Sequence, residues 1–296
     1  KAMEWLERNK IPLRGHTILW PGFGNLPPDL RSLAGKPEAM RARIEAHMQE
    51  IIGVTKGRLF EWDVVNEPYA NKDLMATLGW DEMAFWFRRV KELDPKPRLV
   101  LNDYPPLDGF ETSNAHLNHF YGQIEALQKA KAPIEAIGFQ CHIGGRPIPP
   151  ANLLKGLDRF SRFGLPIVAT EFDIDTPDRD LQARYMRDFM TALFSHPSVD
   201  GITQWGFWQG RHWMPNAGLW DVNWNIRPHG QGYLDLIHKE WSTKADLKTG
   251  ANGRAHVRAF FGTYKVTVKG KDGRVTTVEH RHLPTGKPTE LVVSSS

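Results

Sequence analysis

Six apolar runs, each followed by a segment of helical period, constrain this 296-residue chain more than any other feature. The runs lie at residues 12–20, 58–67, 98–104, 134–142, 166–172 and 201–207, and they carry the β-branched and large apolar residues that suit a strand. Between them, apolar side chains recur at helical spacing. Met40, Ile44, Met48 and Ile51 do so in 37–53, and Met83, Trp86, Phe87 and Val90 in 81–93. Leu117, Phe120, Ile124 and Leu127 follow in 113–130, and Leu181, Tyr185, Phe189 and Leu193 in 180–194. Leu153, Leu157 and Phe160 mark another helix before Gly164, and residues 1–9 and 233–241 also read as helix. Strict strand–helix alternation with near-continuously apolar strands means a parallel sheet covered by helices.

The polar residues of these runs gather at their carboxyl ends: Asn66 and Glu67, Asn102 and Asp103, Gln140 and His142, Glu171 and Asp173, Gln204 and Trp205. A barrel that works from one rim predicts this. A doubly wound open sheet would instead show a glycine-rich phosphate loop, and no G-x-G-x-x-G follows the first run. The run Phe60-Glu61-Trp62-Asp63-Val64-Val65-Asn66-Glu67 is closed by Pro68, which has no N–H to continue a ladder. A carboxylate at the end of a buried strand is expensive to place without a use. Two of them, Glu67 and Glu171, are the pattern of an acid/base and a nucleophile. A structural acid paired with an arginine is the alternative for Glu67 taken alone.

Composition removes other classes. Lys and Arg (38) exceed Asp and Glu (34) by only four and form no block or stripe, so nucleic acid is not expected as a partner. The single cysteine, Cys141, makes no intrachain disulfide and reads as a small core residue. No run is long enough to span a membrane. No signal peptide is visible and the chain begins at Lys1, so the N-terminus is expected to be processed, engineered or cut from something longer. His142, Glu171 and Asp173 lack the ligand spacing of zinc sites, and no metal is expected. From about Ser242 the helical pattern ends. Residues 243–296 read as a small all-β appendage with strands at 256–261, 264–269, 275–281 and 290–293, joined by turns at Asp272-Gly273 and Pro284-Thr285-Gly286. So few strands bury little core alone, so the appendage is expected to pack on the barrel domain, 1–242.

The strand ends resemble glycoside hydrolase family 10, the endo-β-1,4-xylanases of the (β/α)8 TIM-barrel type. The matching segments are Arg14-Gly15-His16-Thr17-Ile18-Leu19-Trp20, Trp62-Asp63-Val64-Val65-Asn66-Glu67, Asn102-Asp103-Tyr104, Gly138-Phe139-Gln140-Cys141-His142, Ala169-Thr170-Glu171-Phe172-Asp173 and Trp205-Gly206, in the family's order across 1–241. The resemblance implies that strands 3 to 8 of the barrel are present, with the first two expected from an upstream segment or another chain. It implies a retaining endo-β-1,4-xylanase, with Glu67 as acid/base and Glu171 as nucleophile. His142 would hold Glu171 charged, and Asn66 would hold the 2-hydroxyl of the sugar at the cleavage point. Gln140, Tyr104, His16 and Trp20 would shape the pocket, and Trp205 and Trp213 its apolar wall. Trp220, Trp224 and Trp241 are expected in the core. Xylan or xylo-oligosaccharide is the implied substrate, no cofactor is needed, and a polymeric substrate implies secretion or surface display. Two departures touch specificity: Pro21 stands where the family usually has a histidine, and Gln209-Gly210-Arg211-His212 replaces a more acidic stretch. A glycosidase of another β-glycan and a catalytically silent carbohydrate-binding or inhibitor protein are the competing readings. Retention of Glu67, Glu171, Asn66 and His142 together favours the enzyme.

Overall fold

The computed structural model describes residues 1–107, 114–145, 147–284 and 287–293. The helix start expected at Ser113 and the turn residues Thr285 and Gly286 lie outside them. Two compact units form, Lys1–Gly230 and Gln231–Ser296.

The first unit opens with α1 (Ala2–Arg8), β1 (Arg14–Gly15), α2 (Pro28–Arg31), α3 (Pro37–Thr55) and β2 (Glu61–Asn66). It continues through α4 (Asp73–Leu78), α5 (Glu82–Leu93), β3 (Arg98–Asp103), α6 (Ala115–Lys129), β4 (Ala136–Phe139) and β5 (His142–Ile143). Then come α7 (Pro150–Ser161), β6 (Ile167–Ile174), α8 (Arg179–Ser195), β7 (Val199–Gln204), a 3-10 turn at Gln209–Arg211 and the start of α9 (Pro228–Asp235). Asn114 and Asp178 cap α6 and α8 by accepting from the backbone N–H three residues on. The predicted helix faces are the ones buried: Met40, Ile44 and Met48 on α3, Trp86, Phe87 and Val90 on α5, Leu153, Leu157 and Phe160 on α7.

The seven strands form one parallel sheet in the order β1-β2-β3-β4-β6-β5, with β7 beside β6. β2 and β6 are buried along their whole length, as strands covered on both faces must be. The expected barrel architecture is therefore present in part, because the sheet stays open. Among the described residues β1 pairs only with β2 and β7 only with β6, and β7 alternates between half-buried and exposed positions. The extra strand comes from the run at 134–142. Cys141 takes a positive φ of 63°, which breaks the run, and the chain rejoins β6 farther along at His142↔Asp173. The run at 12–20 is also shorter than expected: only Arg14 and Gly15 stay in the ladder, and Leu19 returns as a single bridge to Val65.

Three register shifts interrupt these ladders. The β2–β3 ladder slips between Asp63 and Val65, and the β6–β7 ladder slips between Ile167 and Val168 and again between Ala169 and Phe172. Each inserts one residue and changes which side chains face inward beyond it. Before the shift in β2, Glu61 and Asp63 are fully buried and tied to cations. Arg14 hydrogen-bonds both of them, and Arg98 bridges Glu61 to Asp200. Removing Arg14 would leave two buried carboxylates short of a partner. An Arg14→Met chain is expected to lose about 3–5 kcal/mol in urea unfolding. A loss below about 1 kcal/mol would show that Arg98 and His16 suffice.

The second unit carries the rest of α9, which runs into a π-turn at Leu236–Glu240, so the expected helix at 233–241 begins earlier, at Pro228. It also carries one antiparallel hairpin, β8 (Gly262–Lys269) and β9 (Val275–His282). Gly270 and Arg274 close the hairpin loop, with Gly273 at φ 82°. Only two of the four expected strands form. At 256–261 the backbone of Phe260 donates to the Thr243 hydroxyl, and near 290 Glu290 pairs through its side chain with Arg254, so neither segment joins a ladder. No helix among the described residues is long and apolar enough to cross a membrane.

Candidate active site

Asn66 ends β2 just beyond the register shift, and Glu67 leaves the strand at φ 53°. Its N–H still donates to the Asn102 carbonyl at 2.9 Å, so the strained residue is anchored to β3. The Glu67 carboxylate accepts from Gln140 Nε2 at 2.8 Å on one oxygen, and from Trp20 Nε1 at 3.1 Å and Asn71 Nδ2 at 3.2 Å on the other. Burial pushes its pKa up, and the charges of Asp103 and Glu171 add to this against the hydrogen bonds from Gln140 and Trp20.

Glu171 lies on β6 within its shifted stretch. Its Oε1 accepts from Asn102 Nδ2 at 2.9 Å, and its Oε2 lies 3.4 Å from His142 Nε2. Thr170, the residue before it, also points at Asn102 and donates to its Oδ1 at 2.6 Å. Consecutive strand residues normally face opposite ways; the extra residue in β6 lets both reach the same partner.

The two glutamates meet through one amide system. Asn66 Oδ1 accepts from Asn102 Nδ2 at 2.9 Å and from Gln140 Nε2 at 3.3 Å, and those same two amides hold Glu171 and Glu67. Asn66 Nδ2 is buried with no partner in the structure. Such an orphaned donor is costly unless something else occupies it.

His142 sits between two acids. Its Nδ1 is 2.9 Å from Asp173 Oδ1, shorter than its contact to Glu171, so Asp173 and not Glu171 is its tighter partner. Burial opposes its charge, but the hydrogen bonds and charges of Asp173 and Glu171 outweigh burial and push its pKa up to about 9. Trp213 donates from Nε1 to Asp173 Oδ2 at 2.8 Å and sets its ring edge-on to His142 at 4.9 Å, with over half its surface exposed. Trp205 lies edge-on to His16 at 5.7 Å and to His142 at 6.3 Å. His16 itself is 2.9 Å from Asp63 and 3.8 Å from Glu171 Oε1, joining the buried charge network below to the rim above.

Tyr104 stands at the end of β3 with its ring against His116, at 4.6 Å. The structure thus brings Glu67, Glu171, Asn66, Gln140, His142, His16, Trp20, Trp205 and Trp213 into one linked set, with Tyr104 beside it. Asn102 and Asp173 belong to the set too. As strand-end polar residues they were visible, but nothing in a single sequence shows that Asn66 and Asn102 are ladder partners. His212 was also missed as a bracing residue. It is buried, donates to the Trp205 carbonyl at 2.7 Å, and accepts from Met214 N–H, so it fixes the loop between the two tryptophans. Trp224 is a correction. It is 58% exposed at φ 65° and stacks on Trp208 at 5.4 Å, because the Asp221 turn holds it outward; Trp220 and Trp241 are half-buried.

The charge on His142 gives stability a pH dependence. Its folded pKa, about 9, lies above its ordinary 6.5. The stabilisation is therefore complete below about pH 6.5 and fades as pH rises through 9. Between those limits the parent is expected to lose about 2 kcal/mol that a His142→Gln chain does not. Parallel urea melts at pH 6.5 and 9.5 measure the difference, and equal losses would show that His142 is neutral.

The sequence profile described as Glycosyl hydrolase family 10 matches residues 1–235. Anti-sigma-I factor RsgI6 of Acetivibrio thermocellus is 32% identical over 90% of this chain, which spans 34% of that protein. Endo-1,4-beta-xylanase 2 of Arabidopsis thaliana is 29% identical over 94% of this chain and 26% of its own length. Endo-1,4-beta-xylanase B of Thermotoga neapolitana is 30% identical over 77% of this chain and 70% of its own. The chain thus spans about a third or less of the first two of these relatives. Among solved structures, xylanase 10B of Thermotoga petrophila RKU-1 in complex with xylobiose superposes with a TM-score of 0.73 at 29% identity, covering 80% of this chain and 77% of that one.

Proposed function

This chain belongs to glycosyl hydrolase family 10, and on that premise we propose that it is the catalytic domain of a retaining endo-β-1,4-xylanase. The observation that carries the proposal is the single amide system, Asn66 on β2, Asn102 on β3 and Gln140 just past β4, that holds Glu67 and Glu171 together.

In this proposal the environments of the two carboxyls divide the labour. Burial and neighbouring negative charge favour the protonated form of Glu67. Glu171 accepts from Asn102 and faces a charged His142, the setting of the attacking carboxylate. Glu67 would give its proton to the glycosidic oxygen as a Glu171 oxygen attacks the anomeric carbon and the glycosidic bond breaks. Glu67, now a carboxylate, would take a proton from water as that water displaces Glu171 from the sugar. The unpartnered Nδ2 of Asn66 would donate to the sugar's 2-hydroxyl, and the exposed face of Trp213 with Trp205 would carry the pyranose ring. Nothing in this sequence of steps requires a cofactor.

The substrate would be β-1,4-xylan or a xylo-oligosaccharide. The names of the Thermotoga neapolitana xylanase and of the xylobiose complex support that class. A polymer of that size is met outside the cell, so secretion or surface display is part of the proposal. So is an upstream segment or second chain that pairs with β1 and β7, each of which has one ladder partner among the described residues.

Release of reducing ends from β-1,4-xylan, followed by proton NMR of the first anomer formed, tests the reaction. A β product agrees with double displacement, and an α product would overturn it. A second reading is a domain that binds carbohydrate without turning it over; the relative named as an anti-sigma-I factor carries a similar segment in a protein whose name is not that of an enzyme. Binding of xylohexaose by calorimetry with no release of reducing ends, in this chain and in one completed by the upstream strands, would select that reading.

A further inference from the structure

Behind Glu67 lies a second buried acid that the double displacement does not use. Asp103, the last residue of β3, is fully buried. Its Oδ1 accepts from His116 Nε2 at 2.9 Å and from the Tyr104 N–H at 2.8 Å, and its Oδ2 accepts from the Tyr69 N–H at 3.4 Å. Each contact leads to the rim. Tyr69 is two residues past Glu67, and the chain between them makes the turn that carries Glu67 at its positive φ. The His116 ring stacks on Tyr69 at 4.1 Å and 15°, and meets Tyr104 edge-on at 4.6 Å. A carboxylate in this place is costly, because it is taken out of water beside another acid. An asparagine would satisfy much of the same geometry, so the charge itself calls for an explanation.

Resting on the xylanase activity proposed for this chain, we propose that Asp103, held by His116, is a positioning residue for Glu67: it clamps the turn that presents Glu67 and sets a second buried carboxyl beside that acid. The pair acts from behind and touches no sugar. The groups that face Glu67 are Trp20 from the segment after β1, Asn71 and Tyr69 from its own turn, Asp103 and Tyr104 from β3 and just beyond, Gln140 after β4 and Glu171 from β6. Those that face the Asp103–His116 pair are Tyr69, Tyr104 and His119, with Lys72 acting on His119 in turn. Of the acids in the first group, Glu171 has its own imidazole partner in His142, whereas Asp103 also anchors the turn itself.

The test is a carbon-13 NMR titration of the Glu67 carboxyl in the full chain, assigned by its loss in Glu67→Gln. In Asp103→Asn the Glu67 titration is expected to move down by about half a unit or more, toward the ordinary carboxylate range. His116→Lys, which sets a positive charge against the same carboxylate, is expected to move it the same way and serves if the asparagine variant does not fold. Reducing-end release from xylan gives the second readout. Both variants are expected to shift the alkaline limb of kcat/KM down with the titration, with the loss in kcat rather than KM. An unmoved Glu67 titration in whichever variant folds overturns the proposal. A moved titration together with undiminished xylan hydrolysis by Glu67→Gln would leave the charge coupling standing and overturn instead the assignment of Glu67 as the acid.

Discussion

A Glu171→Ala chain is expected to lose at least about 10⁴-fold of its xylan-hydrolysing activity while keeping its fold. The size of the loss follows from the proposed role: without the carboxylate no covalent glycosyl intermediate would form, and only direct attack by water would remain. Retention of the fold follows from the neighbours. Asn102 Nδ2 keeps its bond to Asn66, and His142 keeps its shorter bond to Asp173, so no amide or imidazole is left orphaned. Xylohexaose binding is therefore expected to persist, measured by calorimetry, with the melting temperature within a few degrees of the parent. Removal of this charge also takes one acid from beside Glu67, whose pKa should fall. Activity within tenfold of the parent would exclude Glu171 as the nucleophile.

The second large effect is expected at Glu67, and its signature is dependence on the leaving group. A Glu67→Ala chain is expected to lose about 10²–10⁴-fold on xylan, where the departing sugar oxygen needs a proton. On an aryl β-xylobioside with a dinitrophenolate leaving group, bond breakage needs no proton, so the first step should stay within about tenfold. The second step then lacks its base, and the glycosyl-enzyme should accumulate as a burst followed by slow turnover. Azide, which attacks without giving up a proton, should restore turnover and yield a β-glycosyl azide. Equal losses on both substrates would point to a role for Glu67 in binding or folding. In the parent, the alkaline limb should follow Glu67 and sit above the ordinary carboxylate range, because burial and its acidic neighbours raise its pKa.

The two stretches expected to touch specificity, Pro21 and residues 209–212, are held differently in the structure. Gln209 and His212 brace the loop internally, Gln209 through Arg227 and His212 through the Trp205 carbonyl. Arg211 and Gly210 are exposed, and of the two only Arg211 has a side chain to offer a ligand. Pro21 offers only its carbonyl, which accepts from the Leu74 N–H.

Most of the architecture was legible along the chain, because both of its causes are local. Apolar side chains at helical spacing bury one face of each helix, as on α3 and α5, and runs that carry β-branched residues become strands buried along their length, as in β2 and β6. The location of the proposed site was legible for a related reason: polar residues at strand ends, Glu67 and Glu171 above all, have no local use. The limits were local as well. A bare alternation of residues could not tell a strand with a ladder partner from one without, so only the hairpin formed among the four strands expected after residue 243.

What tertiary structure alone decided was which of those polar residues meet, and how. Two one-residue register shifts, in β2 and β6, turn Asn66 inward and let Thr170 and Glu171 share Asn102. The positive φ at Cys141 ends β4 and swings His142 out to pair with Asp173. Neither has a signature in composition or period, because a bulge is set by the pairing of two strands and not by the residues of either. The amino-acid sequence determined that two glutamates stand at the rim of a parallel α/β sheet. The pairing of its strands determined that they face each other through the same three amides, since register is a property of neighbours far apart in the chain.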